Sequence, residues 1–381
     1  MKIAIFGGSF DPVHREHVHF VRAAIDCLRL DKVFVMPAHN PPHKPYRVLA
    51  PDADRLETCR LAFSCLPEVE VSDYEISQGG TSYTYLTCRH FREQFPDAEI
   101  FFLVGTDMLR NFPFWRQPQS IVDDVTLAVC GRCDEDGWWE QEQQSFVEKF
   151  GKPFVRVDYN GEDVSSTKIR VLAGAGMRLT DFIDEKTAAY IEEKGLYKIK
   201  NAVVALALEK PERQAHSIRV ANLAAARALQ LKIPEKQAIA AALFHDCAKN
   251  LHPDSPYLNG FVPPDEWGEI PKTVWHQFAG AYLAEREFGV QDEDILNAIR
   301  YHTSARPNMS ELEKLIFLAD MLEEERNYKG VDVLRELFWQ EDGLDACLER
   351  ALYETLLFLQ EKQADVYPLT LKAYHFYKTK E

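Results

Sequence analysis

Hydrophobic positions along this chain change rhythm near residue 200. Before it, runs rich in β-branched and aromatic residues at 3–6, 32–36, 69–72, 100–104, 125–130 and 154–157 alternate with amphipathic stretches at 14–30, 52–65, 83–95, 138–150, 167–173 and 184–194. That alternation predicts an α/β unit, a parallel sheet covered by helices. Beyond 200 the β-rich runs vanish and helical spacing takes over at 212–229, 234–249, 272–288, 292–302, 310–324 and 342–362. The pattern therefore predicts two domains, an α/β one over 1–198 and an all-α one over 199–381.

Composition narrows the picture. A chain of 381 residues is long for one core and comfortable for two. With 46% hydrophobic and 12% aromatic residues it reads as a folded protein. Eight cysteines fit a reducing compartment. Cys130 and Cys133 form a C-x-x-C, but a tetrahedral shell needs a second pair and the sequence has none, so the spacing is read as incidental. No run approaches ~18 uninterrupted apolar residues, so no membrane span is predicted. The first residues read as a strand rather than a signal peptide, and a cytoplasmic location is expected. A net charge of −16 argues against nucleic acid as a partner, because that affinity comes from neutralising phosphates. A homo-oligomer is compatible with the sequence.

The sharpest chemical signal lies in the second half. His216, His245, Asp246, His276, His302 and Asp320 are spread over successive helical segments, each inside an apolar pattern. Imidazole with carboxylate suits transition metals, and six ligands exceed one tetrahedral site. A dinuclear centre accommodates them if Asp246 bridges: His216, His245, Asp246 and Asp320 on one ion, and Asp246, His276 and His302 on the other. Two ions with an open edge clamp phosphate esters and anhydrides for hydrolysis. Lys249 and Arg306 are candidates to neutralise a polyphosphate, or are solvated charges. Iron, manganese, cobalt and zinc all fit such donors.

In the first half, Phe6-Gly-Gly-Ser-Phe-Asp-Pro-Val-His14-Arg-Glu-His17 follows a buried strand and opens a helix. Gly7 and Gly8 allow close backbone approach, and the helix start is expected to offer free N–H groups to an anion. His14 and His17, three apart, share a face.

These strings carry two resemblances. Leu-Phe-His-Asp-Cys-Ala-Lys (243–249), Gly-Ala-Tyr-Leu-Ala (280–284), Ile-Arg-Tyr-His-Thr (299–303) and Glu-Lys-Leu-Ile-Phe-Leu-Ala-Asp (313–320) resemble the HD-domain phosphohydrolases. Within them they look like the branch that splits diadenosine tetraphosphate symmetrically into two ADP. The first half is similar to the H-x-G-H nucleotidyltransferases, and most to the nicotinate-mononucleotide adenylyltransferases. That likeness rests on the glycine string above, Met-Pro-Ala-His-Asn-Pro-Pro-His-Lys (36–44), Leu-Val-Gly-Thr-Asp (103–107), Phe-Pro-Phe-Trp (112–115), Val-Ser-Ser-Thr-Lys-Ile-Arg (164–170) and Glu-Lys-Gly-Leu-Tyr (193–197).

The resemblance implies a Rossmann-like nucleotidyltransferase domain joined to an HD domain. It implies transfer of AMP from ATP to nicotinate mononucleotide in front, and hydrolysis of diadenosine tetraphosphate behind. Gly7, Gly8, Ser9, Phe10, His14, His17, Gly105, Asp107, Arg132, Ser165, Ser166, Thr167 and Arg170 would meet ATP, with Mg²⁺. Lys44, Thr84 and Trp115 would meet the mononucleotide. His14, His17, Lys44 and Arg170 would act in transfer, and Asp246 and Lys249 in hydrolysis. The metal pair would be iron. Read without the family, Ser165, Ser166 and Thr167 could be only a helix cap, and Trp115 could as well be core.

Three positions depart from the family patterns. Glu16 replaces the glycine of H-x-G-H, placing a carboxylate where a triphosphate is expected; Glu16→Gly is therefore expected to favour ATP. Tyr83-Thr84-Tyr85-Leu86-Thr87 lacks the usual aspartate, and Leu322-Glu323-Glu324-Glu325-Arg326 lacks a proline. The Glu16 departure keeps open an alternative: a catalytically impaired nucleotide-binding module regulating an active hydrolase.

Overall fold

The computed structural model describes residues 1–42, 48–131, 137–264, 268–341 and 343–378. They form two compact units, Met1–Ile169 with Leu179–Leu196, and Arg170–Arg178 with Tyr197–Glu381. Residues 170–178 thus count with the second unit rather than the first. Val171 and Ala175 belong to the second unit's apolar core, which fixes that allegiance.

The first unit is built on six parallel strands: β1 (Lys2–Gly8), β2 (Lys32–Pro37), β3 (Val69–Val71), β4 (Glu99–Gly105), β5 (Thr126–Cys130) and β6 (Val155–Val157). Their order is β3-β2-β1-β4-β5-β6. Ile3 and Ile5 face one apolar layer with Phe34, Met36 and Phe102; Ala4 and Phe6 face the other with Val33, Val35 and Leu103. Burial on both faces explains why these strands read as continuous apolar runs. The expected parallel α/β sheet is what the chain forms.

The strand order reverses between β1 and β4, where open α/β sheets hold ligands. Register shows how the crevice opens. β1 pairs with β4 only from Lys2↔Glu99 to Ile5↔Phe102. Beyond that, Phe6, Gly7 and Gly8 pair only with β2, and Leu103 to Gly105 only with β5. The two ladders part, and the Gly7-Gly8 turn and the Gly105 end flank the gap.

The second unit is helical throughout its described residues. Helix Glu235–Phe244 is buried all round from Ala238 to Phe244, as a helical stretch apolar on every face must be. Helices Pro211–Ala228, Lys272–Arg286, Glu293–Tyr301 and Glu311–Leu322 share its core. Gln277, fully buried, donates to the Ser304 hydroxyl (2.8 Å) and accepts the N–H groups of Thr303 and Ser304 (both 3.0 Å). One side chain thereby ties the turn after His302 to the helix that carries His276. Among the described residues no helix is long and apolar enough to cross a membrane.

Candidate active sites

The turn after β1 is stiffened from behind. Arg55 is buried and donates to the Ser9 carbonyl (2.8 Å) and the Ala50 carbonyl (3.1 Å), while Asp52 pairs with it. Asp52 also bonds His39 Nδ1 (2.6 Å). Arg55 escaped the sequence reading because an arginine in an acidic helix start looks solvated. Phe10, expected at ATP, is instead core: 2% exposed, with a left-handed φ of 45° and its ring edge-on to Phe6, His17 and Phe63. Bulky residues rarely hold that backbone, and the packing is what holds it here. The Phe10 ring also explains Gly8, where a Cβ would stand 3.0 Å from it. At Gly7 a Cβ would make only ordinary contact, so the fold alone does not require glycine there.

His14 and His17 stack, centroids 3.6 Å apart. His17 Nδ1 accepts the His14 backbone N–H (3.1 Å), so a neutral His17 carries its proton on Nε2. Burial depresses the His14 pKa to about 4, although the Glu16 carboxylate works the other way; its ring is neutral at pH 7. The expected free amides at this helix start are partly spent: the Arg15 N–H donates to the Phe182 carbonyl (2.8 Å) and the His17 N–H to the His14 carbonyl (3.0 Å).

Glu16 does not threaten the turn. Its carboxylate accepts the Tyr159 hydroxyl, the Glu162 N–H (2.8 Å) and a bond with His19 Nδ1 (3.1 Å). Burial would raise its pKa, but those donors together hold it below the usual carboxylate value. Downstream, the Ser166 hydroxyl donates to the Pro12 carbonyl (2.9 Å), and Ser165 Oγ accepts the Lys168 N–H (3.2 Å), capping helix Ser166–Gly174. Both serine side chains therefore have structural partners, and Thr167 stands half-buried beside them. Arg170 needs a correction. Expected at the ATP phosphates, it is buried and forks onto Glu235 within the second unit, Nε to Oε2 at 2.6 Å and Nη2 to Oε1 at 2.5 Å. A buried guanidinium needs a carboxylate, and a bidentate one satisfies it best.

Gly105 ends β4, and a Cβ there would meet Asp107 Oδ1 at 2.5 Å; glycine lets that exposed carboxylate fold back over the strand end. Nearby, Thr84 and Trp115 line one cavity of about 170 Å³ with Pro42, Tyr83, Phe114, Arg116 and Ile121. Trp115 packs edge-on against Phe102, so it is both core and wall. Arg116, which sequence reasoning missed, lies over the Tyr83 ring at 4.5 Å and gives this cavity a cation. Lys44 and Arg132 lie outside the described residues.

In the second unit the six metal candidates converge. His216 projects from Pro211–Ala228, His276 from Lys272–Arg286 and Asp320 from Glu311–Leu322, while His245 and His302 close Glu235–Phe244 and Glu293–Tyr301. Their ligand atoms form three overlapping groups, His216/His245/Asp246, His245/His302/Asp320 and Asp246/His276/His302, each within 4.8 Å. The last is the set expected for one ion; His302 also reaches the other.

The donors fit a metal on their own geometry. Asp246 Oδ1 stands 3.2 Å from His276 Nε2 and 3.4 Å from His302 Nε2, yet it and His245 Nε2 are buried without hydrogen-bond partners among the described residues. His276 Nε2 and His302 Nε2 approach to 3.1 Å. A cation satisfies these facing lone pairs at once. Burial depresses His245 and His276 to about 4, leaving the neutral imidazoles that ligation requires. Burial alone would raise Asp246 and Asp320, but their histidine neighbours hold both well below the carboxylate range.

A second ring of partners orients the ligands. His245 Nδ1 donates to the Ala242 carbonyl (2.6 Å) and His302 Nδ1 to the Ile299 carbonyl (2.8 Å), turning each Nε2 inward. His216 Nδ1 pairs with Glu323 (3.1 Å), itself held by Arg219 (2.6 Å). Arg326 donates to Asp320 Oδ1 (2.6 Å) and Arg213 meets Asp246 Oδ2 (2.9 Å). Lys249 Nζ lies 3.8 Å from Asp246 Oδ1 and 2.9 Å from His276 Nε2. Arg306 is a correction: its guanidinium is engaged by buried Glu313 at 2.7 and 2.5 Å. Arg213 and Glu323, at helix ends, and Arg219, in mid-helix, were missed because a charged side chain adds nothing to an apolar period and reads as solvated.

Comparison with known proteins agrees with this division. Residues 5–172 match the cytidylyltransferase-like family and residues 213–325 the HD domain. A probable nicotinate-nucleotide adenylyltransferase/Ap4A hydrolase from Mycoplasma genitalium is 31% identical over 329 residues, 85% of this chain and 88% of that protein. Its Mycoplasma pneumoniae counterpart is 29% identical over 345 residues, 86% and 92% of the two chains. A probable nicotinate-nucleotide adenylyltransferase from Clostridium tetani is 37% identical over 199 residues, 52% of this chain and 99% of its own. A parallel-sheet unit whose two ladders part at the β1/β4 switch point, a helical unit with six converging metal donors, and relatives that match most of the chain lead to one conclusion: this chain belongs to the nicotinate-nucleotide adenylyltransferase/Ap4A hydrolase family.

Proposed function

We propose that the first unit transfers AMP from ATP to nicotinate mononucleotide, releasing pyrophosphate and deamido-NAD⁺, and that the second hydrolyses diadenosine tetraphosphate symmetrically to two ADP. The observation that carries the first half is the cavity lined by Thr84, Trp115 and Arg116. An indole wall suits a flat pyridine ring, and a guanidinium suits the carboxylate that separates nicotinate from nicotinamide. The attacking phosphate is already anionic, so transfer needs alignment and charge compensation rather than a strong base. His14, neutral by burial, and His17, whose neutral ring carries its proton on Nε2, serve as hydrogen-bond donors; ATP would bring Mg²⁺.

For the second half the carrying observation is the ligand set around Asp246. When bound, a metal pair supplies Lewis-acid polarisation of phosphoryl oxygens and a nucleophile at neutral pH. The chain's own part is orientation and charge: Asp246 is shared between ligand groups, Arg326 and Glu323 aim Asp320 and His216, and Lys249 and Arg213 offer cations to a polyphosphate. Iron suits the mixed donors. The engaged Glu16 carboxylate removes the electrostatic ground for reading the first unit as a disabled sensor.

Product analysis tests both halves. ATP with nicotinate mononucleotide should yield deamido-NAD⁺ faster than ATP with nicotinamide mononucleotide yields NAD⁺. Diadenosine tetraphosphate should give ADP alone. ATP plus AMP would contradict symmetrical cleavage, and equal use of both mononucleotides would contradict the role given to Arg116.

A further inference from the structure

We infer that Glu16 is a positioning residue for adenylyl transfer, a latch that holds the segment 159–167 against the His14–His17 pair. This rests on the function proposed for the first unit. Glu16 sits on helix Arg15–Leu28 between the two histidines, only 8% exposed, and three donors satisfy its carboxylate: Tyr159, Glu162 and His19. Two of the three, the Tyr159 hydroxyl and the Glu162 N–H, come from the loop after β6. That loop runs directly into Ser165, Ser166 and Thr167. A second tie fastens the same segment four residues after Glu162, where the Ser166 hydroxyl donates to the Pro12 carbonyl in the β1 turn (2.9 Å).

The loop is shaped around the carboxylate. A Cβ on Gly161 would run into Glu16 Oε2 and would stand 2.7 Å from the Tyr159 ring, so the glycine makes room for the contact. Tyr159 is itself held edge-on by Phe20 of the same helix, centroids 5.9 Å apart. A buried carboxylate with charge-assisted bonds to a hydroxyl and an amide is a stronger tie than a neutral contact. Side chain, glycine and tyrosine are thus matched to one another, which is not the signature of a tolerated intruder. The expectation that Glu16→Gly would help ATP is accordingly reversed.

The latch predicts a split that loss of stability would not produce. Glu16→Ala should lower kcat/KM for ATP by ~10-fold or more, since misplacing a binding segment by about 1 Å costs on that order or beyond. KM for nicotinate mononucleotide and hydrolysis by the second unit should stay within about twofold. Glu16→Gln keeps one acceptor oxygen and should recover most of the loss. Tyr159→Phe removes a single hydroxyl, keeps the ring on Phe20, and should fall in the same direction, reading the latch even if Glu16→Ala folds poorly. The double variant should lose less than the sum of the two, as coupled partners do. Wild-type rates in Glu16→Ala and Tyr159→Phe, or a gain in Glu16→Gly, would overturn the latch. Absence of pyrophosphate release by the wild-type protein would instead overturn the transferase reading itself.

Discussion

His17 turns its ring back along the first helix so that Nδ1 accepts the backbone N–H of His14 at 3.1 Å. One imidazole thereby serves as half of a helix cap and keeps its proton on Nε2. His17→Ala is expected to reduce pyrophosphate release by ~10²-fold, the scale of one lost transition-state donor. The lost cap should cost only about 1 kcal/mol in thermal unfolding. A large stability loss with a small rate effect would make His17 a cap and nothing more.

Glu323 touches no ligand group except His216, and it is expected to act on metal affinity. Glu323→Ala should weaken metal binding by ~10–100-fold in chelator competition, as removal of such orienting partners does. The wild-type affinity in that variant would show that Arg219 and Glu323 serve packing alone.

Arg170 was assigned to ATP from its motif, whereas the structure engages its guanidinium in a fork on Glu235. Arg170→Ala should lower the stability of the second unit by about 3 kcal/mol, because a broken buried pair leaves a carboxylate uncompensated. Thermal unfolding checks this. Unchanged stability with lost transfer would restore the phosphate role.

What the sequence made legible follows physical lines. The six metal candidates stood out because a histidine or aspartate in an apolar helical face has to be explained. The strands stood out because both faces of the sheet are buried. Helices Thr106–Asn111 and Pro118–Asp124 were missed, being too short to show a period. Val331–Trp339 and Pro368–Tyr377 were missed too, although they are longer. The Arg170–Glu235 and Glu16–Tyr159 pairs were invisible for another reason: nothing local in a chain announces a partner 65 or 143 residues away.

Glu209 lends the metal-free protein a pH dependence. It is buried, Oε1 has no hydrogen-bond partner among the described residues, and burial raises its pKa to about 8 despite the bond from Ser217. The folded state keeps this proton where the unfolded chain has released it, so stability from this group is complete below about 4.5 and declines as pH rises to about 8. Glu209→Gln should flatten unfolding midpoints across that window. An unchanged slope would mean the carboxyl is ionised in the fold.

If one chain carries two chemistries on separate residue sets, Asp246→Ala separates them in a single variant. Pyrophosphate release from ATP and nicotinate mononucleotide should match wild type, while hydrolysis of diadenosine tetraphosphate falls at least ~10³-fold and bound metal is lost, since Asp246 is common to two ligand groups. Hydrolysis persisting with the metal complement intact would contradict the account.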